Sequence, residues 1–223
     1  MKQGTALNTQ DKLGVDAVKD IKDRAEKSQG FRDFMCRHFF DIRTFGAVMT
    51  TAAKKESELS SVAGQVRGPI QIAFGRSIDP IVPQEITITR VSVTQEAKAA
   101  EASTEMGRKH IVPYGLYRQE GFISANLAQK VTGFSEDDLM LFWQAVIHMF
   151  DEDRSAARGK MTLRELIVFK HESPLGNAPA HTLFDRIVAR RKDGIVAPRS
   201  YEDYEVRVDA DHLPNGVTLM RKV

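Results

Sequence analysis

The residues best placed to do chemistry in this sequence are basic ones seated beside glycines. Arg67–Gly68 and Gly75–Arg76 bracket the segment "PIQIAF", and Gly107 precedes Arg108, Lys109 and His110 in "MGRKHIVPYG". A glycine lets the backbone come close to a phosphate while the adjoining guanidinium grips it through two donors. A further group, Arg154, Arg158 and Lys160 in "DRSAARGK", sets its two arginines at i and i+4 on the end of a predicted helix. There they equally suit a helix C-terminus by complementing its dipole. Each group alone reads as ordinary solvated charge. Together, such clusters in a sheet-bearing chain favour a binder of phosphate backbones.

Acid–base and metal chemistry find less support. In "DIRTFGAVM", Asp41 is the best candidate acid, and Arg43 two residues on would hold it ionised. An ionised carboxylate without a partner histidine is a poor general base, and pairing with a nearby base is the plainer role. His171 and His181 flank "ESPLGNAPA" but have no third ligand in reach of the sequence, so local hydrogen bonding is their default. His148 is placed at the core edge of a helix. Cys36, the single cysteine, reads as a small buried apolar residue and excludes a disulfide framework or a Cys-rich zinc site. No phosphate loop with its lysine, GxSxG, HExxH or paired CxxC is present. No catalytic residue, metal ligand or cofactor is therefore assigned.

The elements that must position these residues follow from periodicity. Residues 11–29 predict a charged surface helix with a thin stripe at Val15, Val18 and Ile21. Phe31, Phe34, Met35 and Phe39 predict a second, better-buried helical piece. The Ser-rich stretch 53–64 predicts a loop. "PIQIAF" and "ITITRVSVT" predict strands, the latter with its apolar phase slipping between Ile86/Ile88 and Val91/Val93, as a bulge or twist requires. Pro80 and Pro83 keep the intervening segment out of a sheet centre, and residues 95–108 read as polar and mobile. "HIVPYGLY" and "GFISANL" read as extended segments around "RQEG". Ser135 and Asp138 form a capping box for a helix with Leu139, Phe142, Trp143, Val146, Ile147 and Phe150 on one face. "ELIVFK" predicts a buried strand, and "YEVRV" and "GVTLM" two short ones. The sum is an α+β fold, an antiparallel sheet covered by helices on one side.

The bulk numbers fit one domain with elaborations. The chain has 223 residues, 42% of them hydrophobic and 28% charged, which excludes global disorder. Its 32 Lys and Arg against 30 Asp and Glu name no partner by themselves, so a nucleic-acid binder of this balance must gather its basic residues on particular surfaces. No apolar run approaches a membrane span, and the first residues, "MKQGTALNTQDKLG", hold no signal-type apolar core. A cytoplasmic protein is expected.

Five blocks, taken in order, carry a resemblance: "FFDIRTFGAVM", "GQVRGPIQIAFGRSIDPIVPQEITITR", "MGRKHIVPYGLYRQEGFISANLAQK", "GFSEDDLMLFWQAVIHMFDEDRSAARG" and "FKHESPLGNAPAHTLFDRI". They closely resemble the subtype I-C members of the Cas-seven superfamily, backbone subunits of the CRISPR Cascade complex. The resemblance implies a single RNA-recognition-motif-like (ferredoxin-type) domain over 1–223, a finger- or thumb-type hairpin inserted over 60–110, and short C-terminal strands over 199–223. It implies a non-catalytic subunit that stacks along a CRISPR guide RNA, gripping its backbone without reading sequence, so that displayed bases pair with target DNA. The implied partners are guide RNA, target DNA within the complex, further copies of the chain and other Cascade subunits, with no membrane and no cofactor. Arg67, Arg76, Arg108, Lys109, Arg154 and Arg158, with Arg43 and Lys160 behind them, are the expected RNA contacts. Members of that family carry a strand and a basic helix ahead of the "ALNTQ" region. This sequence lacks them, which implies a core missing its first strand. Two rivals stand beside this reading. One is a metal-dependent RNA-cleaving paralogue of the type III kind using Asp41; the other is a truncated remnant that no longer binds RNA.

Overall fold

The structure, a computed structural model, describes residues 7–49, 64–90 and 105–223. The loop expected over 53–64, apart from Gly64, lies outside these residues, as do Val91, Val93 and residues 95–104.

The N-terminal third is helical. Helix α1 (Leu7–Ala17) and helix α2 (Arg24–His38) meet at a break that the charge pattern hides. The single helix predicted over 11–29 is cut because Asp23, in extended backbone, accepts the amide of Glu26 at 2.8 Å and starts a new helix. That helix then runs through Gly30 and absorbs the second predicted piece. Val18, Phe31, Met35 and Cys36 are buried together with Ile42, Met49 and Val66, and this cluster is the main core. Helix α3 (Phe40–Phe45) turns at Gly46 into strand β1 (Gly46–Val48), which pairs with β2 (Gln65–Arg67).

Gly46 has φ +82°, a conformation that favours glycine. Gly68 crosses it so closely that a side chain there would strike the Phe45 carbonyl carbon and the Gly46 nitrogen. The two glycines are one crossing of two chains. The "DIRTFGAVM" stretch is thus a helix–strand joint. Phe45 stays half exposed, edge-on to Phe142 at 6.1 Å.

Residues 70–90 and 105–123 form the two arms of a ribbon. Its outgoing arm carries β3 (Ile70–Ile72), β4 (Arg76–Ser77) and β5 (Gln84–Arg90). Its returning arm carries β6 (Glu105–Ile111), β7 (Tyr117–Arg118) and β8 (Gly121–Ile123). The pairs nest antiparallel, β3 with β8, β4 with β7 and β5 with β6. Each of the two interruptions holds one more residue on the outgoing arm than on the returning one, the signature of a bulge that bends a ribbon. Pro80 and Pro83 fall in the second interruption, where no ladder donor is needed. Residues 105–108, expected to be mobile, instead open β6, because pairing with β5 sets their conformation where apolar content does not.

After a short helix α4 (Ala125–Leu127) and a π turn (Ala128–Thr132) comes α5 (Glu136–Glu152), capped by Ser135 and Asp138 as the spacing predicts. Phe142 is buried with Ile70, Ala128 and Phe134, and Leu139, Trp143 and Val146 pack against them. His148, expected at the core edge, is exposed beside Asp151. Strand β9 (Ile167–His171), expected to be buried, is half buried and among the described residues pairs with β12 (Val217–Arg221) alone. Helix α6 (Ala180–Phe184) leads to β10 (Ile187–Arg191), paired with β11 (Tyr204–Val208).

The architecture is α+β, with the described strands arranged as six antiparallel pairs. Among the described residues no helix is long and apolar enough to cross a membrane.

Candidate nucleic-acid interface

The ribbon is held at its root and largely exposed along the described part of β5 and β6. Arg118 straps the root, donating to the Ile187 carbonyl at 2.6 Å and the Phe184 carbonyl at 2.8 Å while pairing with Glu120 at 2.9 Å. Phe122 meets Phe184 edge-on at 5.5 Å. In the second interruption Asp79 faces Arg191 at 3.7 Å and lies near the hydroxyl of Tyr204, which stacks with Tyr114. Burial, with this Asp79 contact, pushes the Tyr204 hydroxyl up to about 12. Arg118 was not among the residues the sequence marked. Its signal is only that an arginine sits at a strand end, and its partners lie 66 and 69 positions away.

Three of the predicted residues share the ribbon, Arg76 at its root opposite Arg118, and Arg108 and Lys109 further out. Arg76 is exposed in β4, and its side chain has no partner among the described residues. Arg108 and His110 lie on one face of β6, opposite Thr87 and Glu85, and Glu85 meets them at 3.4 and 3.7 Å. Such exposed pairs are weak and give way to a phosphate. Lys109 lies on the other face, opposite Ile86. Gly75 and Gly107 have nothing within 4 Å of where a side chain would be, so the backbone at both is open to a ligand. Phe74 beside Gly75 is 95% exposed, an aromatic surface of the kind on which bases stack.

Arg67 ends β2 and is exposed at the foot of the ribbon. Its neighbour Gly68 is occupied by the Gly46 crossing and is not available for approach to a phosphate.

The remaining predicted residues are placed elsewhere. α5 stops at Glu152, so Arg154 and Arg158 lie in the turn that follows and not on the helix. Arg154 reaches back to the Asp151 carbonyl at 3.2 Å, complementing the helix end, and Arg158 pairs with Asp153 at 2.9 Å. Lys160 is exposed in the same turn.

Arg43 is the exception. Its guanidinium holds both Asp138 oxygens, at 2.7 and 2.8 Å, and donates to the Cys36 and Arg37 carbonyls at 2.9 and 3.3 Å. It also lies 5.7 Å from the Phe40 ring. The pairing of Arg43 with Asp41 expected from the sequence is replaced by one with Asp138, 95 positions away, and Asp41 stands exposed in the first turn of α3. Hydrogen bonds from Arg43 hold the Asp138 carboxyl below the usual carboxylate range and the Arg43 guanidinium above its own. The clasp fastens the end of α2 and α3 to the first turn of α5. An open cleft of about 480 Å³ lies beside it. The capping box already meets the amides of Ser135 and Asp138 beside it.

Among the described residues no cluster of three or more His, Cys, Asp or Glu is arranged to hold a metal ion. Nδ1 of His171 accepts the amide of Asn177 at 2.9 Å, closing its own loop. Cys36 is buried, and burial pushes its thiol up, away from the thiolate that chemistry would need.

The family model described as CRISPR-associated protein Cas7 matches residues 1–209 of the chain. No curated protein matches it.

Proposed function

The chain belongs to the Cas7 family of CRISPR-associated proteins, and from that premise we propose that it is a non-catalytic backbone subunit of a type I-C Cascade complex. It grips CRISPR guide RNA in the cytoplasm through phosphate contacts and repeats along the RNA with further copies of itself and other Cascade subunits. Bases left displayed then pair with target DNA. An RNA-recognition-like core belongs to the same reading.

One observation carries the proposal. A ribbon anchored at its root presents Arg76 there, and Arg108 and His110 further out, to solvent with Lys109 half exposed, and it carries two open glycine backbones and an exposed phenylalanine. Basic groups with an aromatic surface are what a single strand needs for binding without sequence preference. Arg67 and the turn bearing Arg154, Arg158 and Lys160 add charge to the proposed contact set. Arg43 serves it by fastening the helices.

The test is a titration of two unrelated 30-nucleotide RNAs with the chain at several salt concentrations. Arg76→Ala combined with Arg108→Ala and Lys109→Ala is expected to weaken both RNAs about tenfold and lower the salt slope by about two. Unchanged affinity and slope would remove the ribbon from the interface.

A further inference from the structure

The β10–β11 pair carries a second basic surface, on residues that the ribbon reading does not use. Its cross-strand partners sort into two faces. On one, Ile187, Ala189, Arg191, Tyr204, Val206 and Val208 alternate, with Tyr204 buried and Arg191 turned to Asp79 at the root of the ribbon. The other face presents Val188, Arg190, Glu205 and Arg207, and the chain continues into exposed Lys192. An open cleft of about 290 Å³ lies among Arg190, Lys192, Asp193, Glu205 and Arg207.

Glu205 organises this face. One oxygen accepts Nε of Arg190 at 2.8 Å, and the other accepts Nε of Arg207 at 2.7 Å. Nη2 of Arg190 also meets the first oxygen at 2.8 Å. One carboxylate thus holds two guanidiniums side by side and leaves Nη1 of Arg190 and both Nη atoms of Arg207 without a partner among the described residues. Two forks fixed in advance lose less freedom when they take up phosphates. With Lys192, three cations line the cleft against Glu205 and Asp193, and Lys192 also acts on Asp203.

The face differs from the ribbon in one respect that selects the ligand. It carries no aromatic side chain, only Val188 beside the charges, so it lacks the aromatic platform on which successive unpaired bases stack. A strand whose bases are already paired presents only phosphates to such a surface. We propose that the outward face of β10–β11 binds the phosphate backbone of a nucleic-acid duplex through Arg190, Arg207 and Lys192. The site is distinct from the ribbon, and it stands whether or not the ribbon holds guide RNA.

The experiment titrates the full chain against a labelled 30-base-pair DNA duplex, an RNA duplex of the same length and a single-stranded RNA, across a salt series. Arg190→Ala combined with Arg207→Ala is expected to weaken duplex binding about tenfold and lower its salt slope by about two, while single-stranded RNA binds as before. A loss confined to one duplex names the source of the ligand and leaves the site standing. Lys192→Ala, on the same face, is expected to weaken duplex binding several-fold and lower its salt slope by about one, and it decides the matter if the double variant does not fold. Wild-type chain that binds no duplex, a double variant that binds as wild type, or parallel loss of duplex and single strand would overturn the proposal. Single-stranded RNA that never binds, with duplex binding still dependent on Arg190 and Arg207, would refute the guide-strand reading and leave this one intact.

Discussion

Arg43 shows what a charged residue does when its partner is far off in sequence. The spacing around Ser135 and Asp138 gives the capping box directly, because every group in it lies within one turn. That Asp138 also holds Arg43 depends on two helices meeting, which no local pattern encodes. Losing one partner of such a half-buried, bidentate pair costs about 2 kcal/mol, and Asp138→Asn is expected to lower stability by that amount. The pH dependence has a definite sign. The Asp138 carboxyl titrates lower in the folded chain than in the unfolded one. Its contribution is therefore complete above the unfolded value, about 3.9, and is lost as pH falls through the folded value. Urea midpoints measured from pH 6 to pH 2 should fall more steeply below about pH 4 for the wild type than for Asp138→Asn. Parallel curves would show that the clasp adds nothing.

The ribbon shows how far a strand pattern carries an element. The alternation in "PIQIAF" and "ITIT" marks the outgoing arm, and Pro80 and Pro83 mark where its ladder must stop. The start of β6 at Glu105 was not legible, since the stretch is polar and takes its conformation from β5. The bulges were not legible either, because each is a difference of one residue between arms tens of positions apart. The glycines separate in the same way. In sequence Gly68 and Gly75 are equivalent, each beside an arginine. In the fold one is locked against backbone and the other is open. Gly68→Ala is expected to cost about 3 kcal/mol by forcing β2 away from the α3–β1 joint. Gly75→Ala should leave stability within about 0.5 kcal/mol and yet weaken RNA binding if the open backbone takes a phosphate. Denaturant unfolding together with an RNA titration checks both. Equal destabilisation by the two would contradict the crossing.

At the scale of the whole molecule, a nearly balanced net charge conceals an uneven arrangement. Basic residues stand out along the ribbon, in the turn after α5 and on the outer face of β10–β11, while Arg43, Arg118 and Arg186 are bound into the fold. Composition could not separate these groups. Only the fold tells which guanidiniums already have partners. The central claim is that the exposed basic residues of the ribbon and of the turn after α5 hold RNA and that the chain repeats along it. Its most direct test is the ratio of absorbance at 260 and 280 nm across a size-exclusion profile of the purified chain, with and without RNase. The account predicts a large, nucleic-acid-rich species that RNase reduces to a small one. A small peak free of nucleic acid and unchanged by RNase would contradict it.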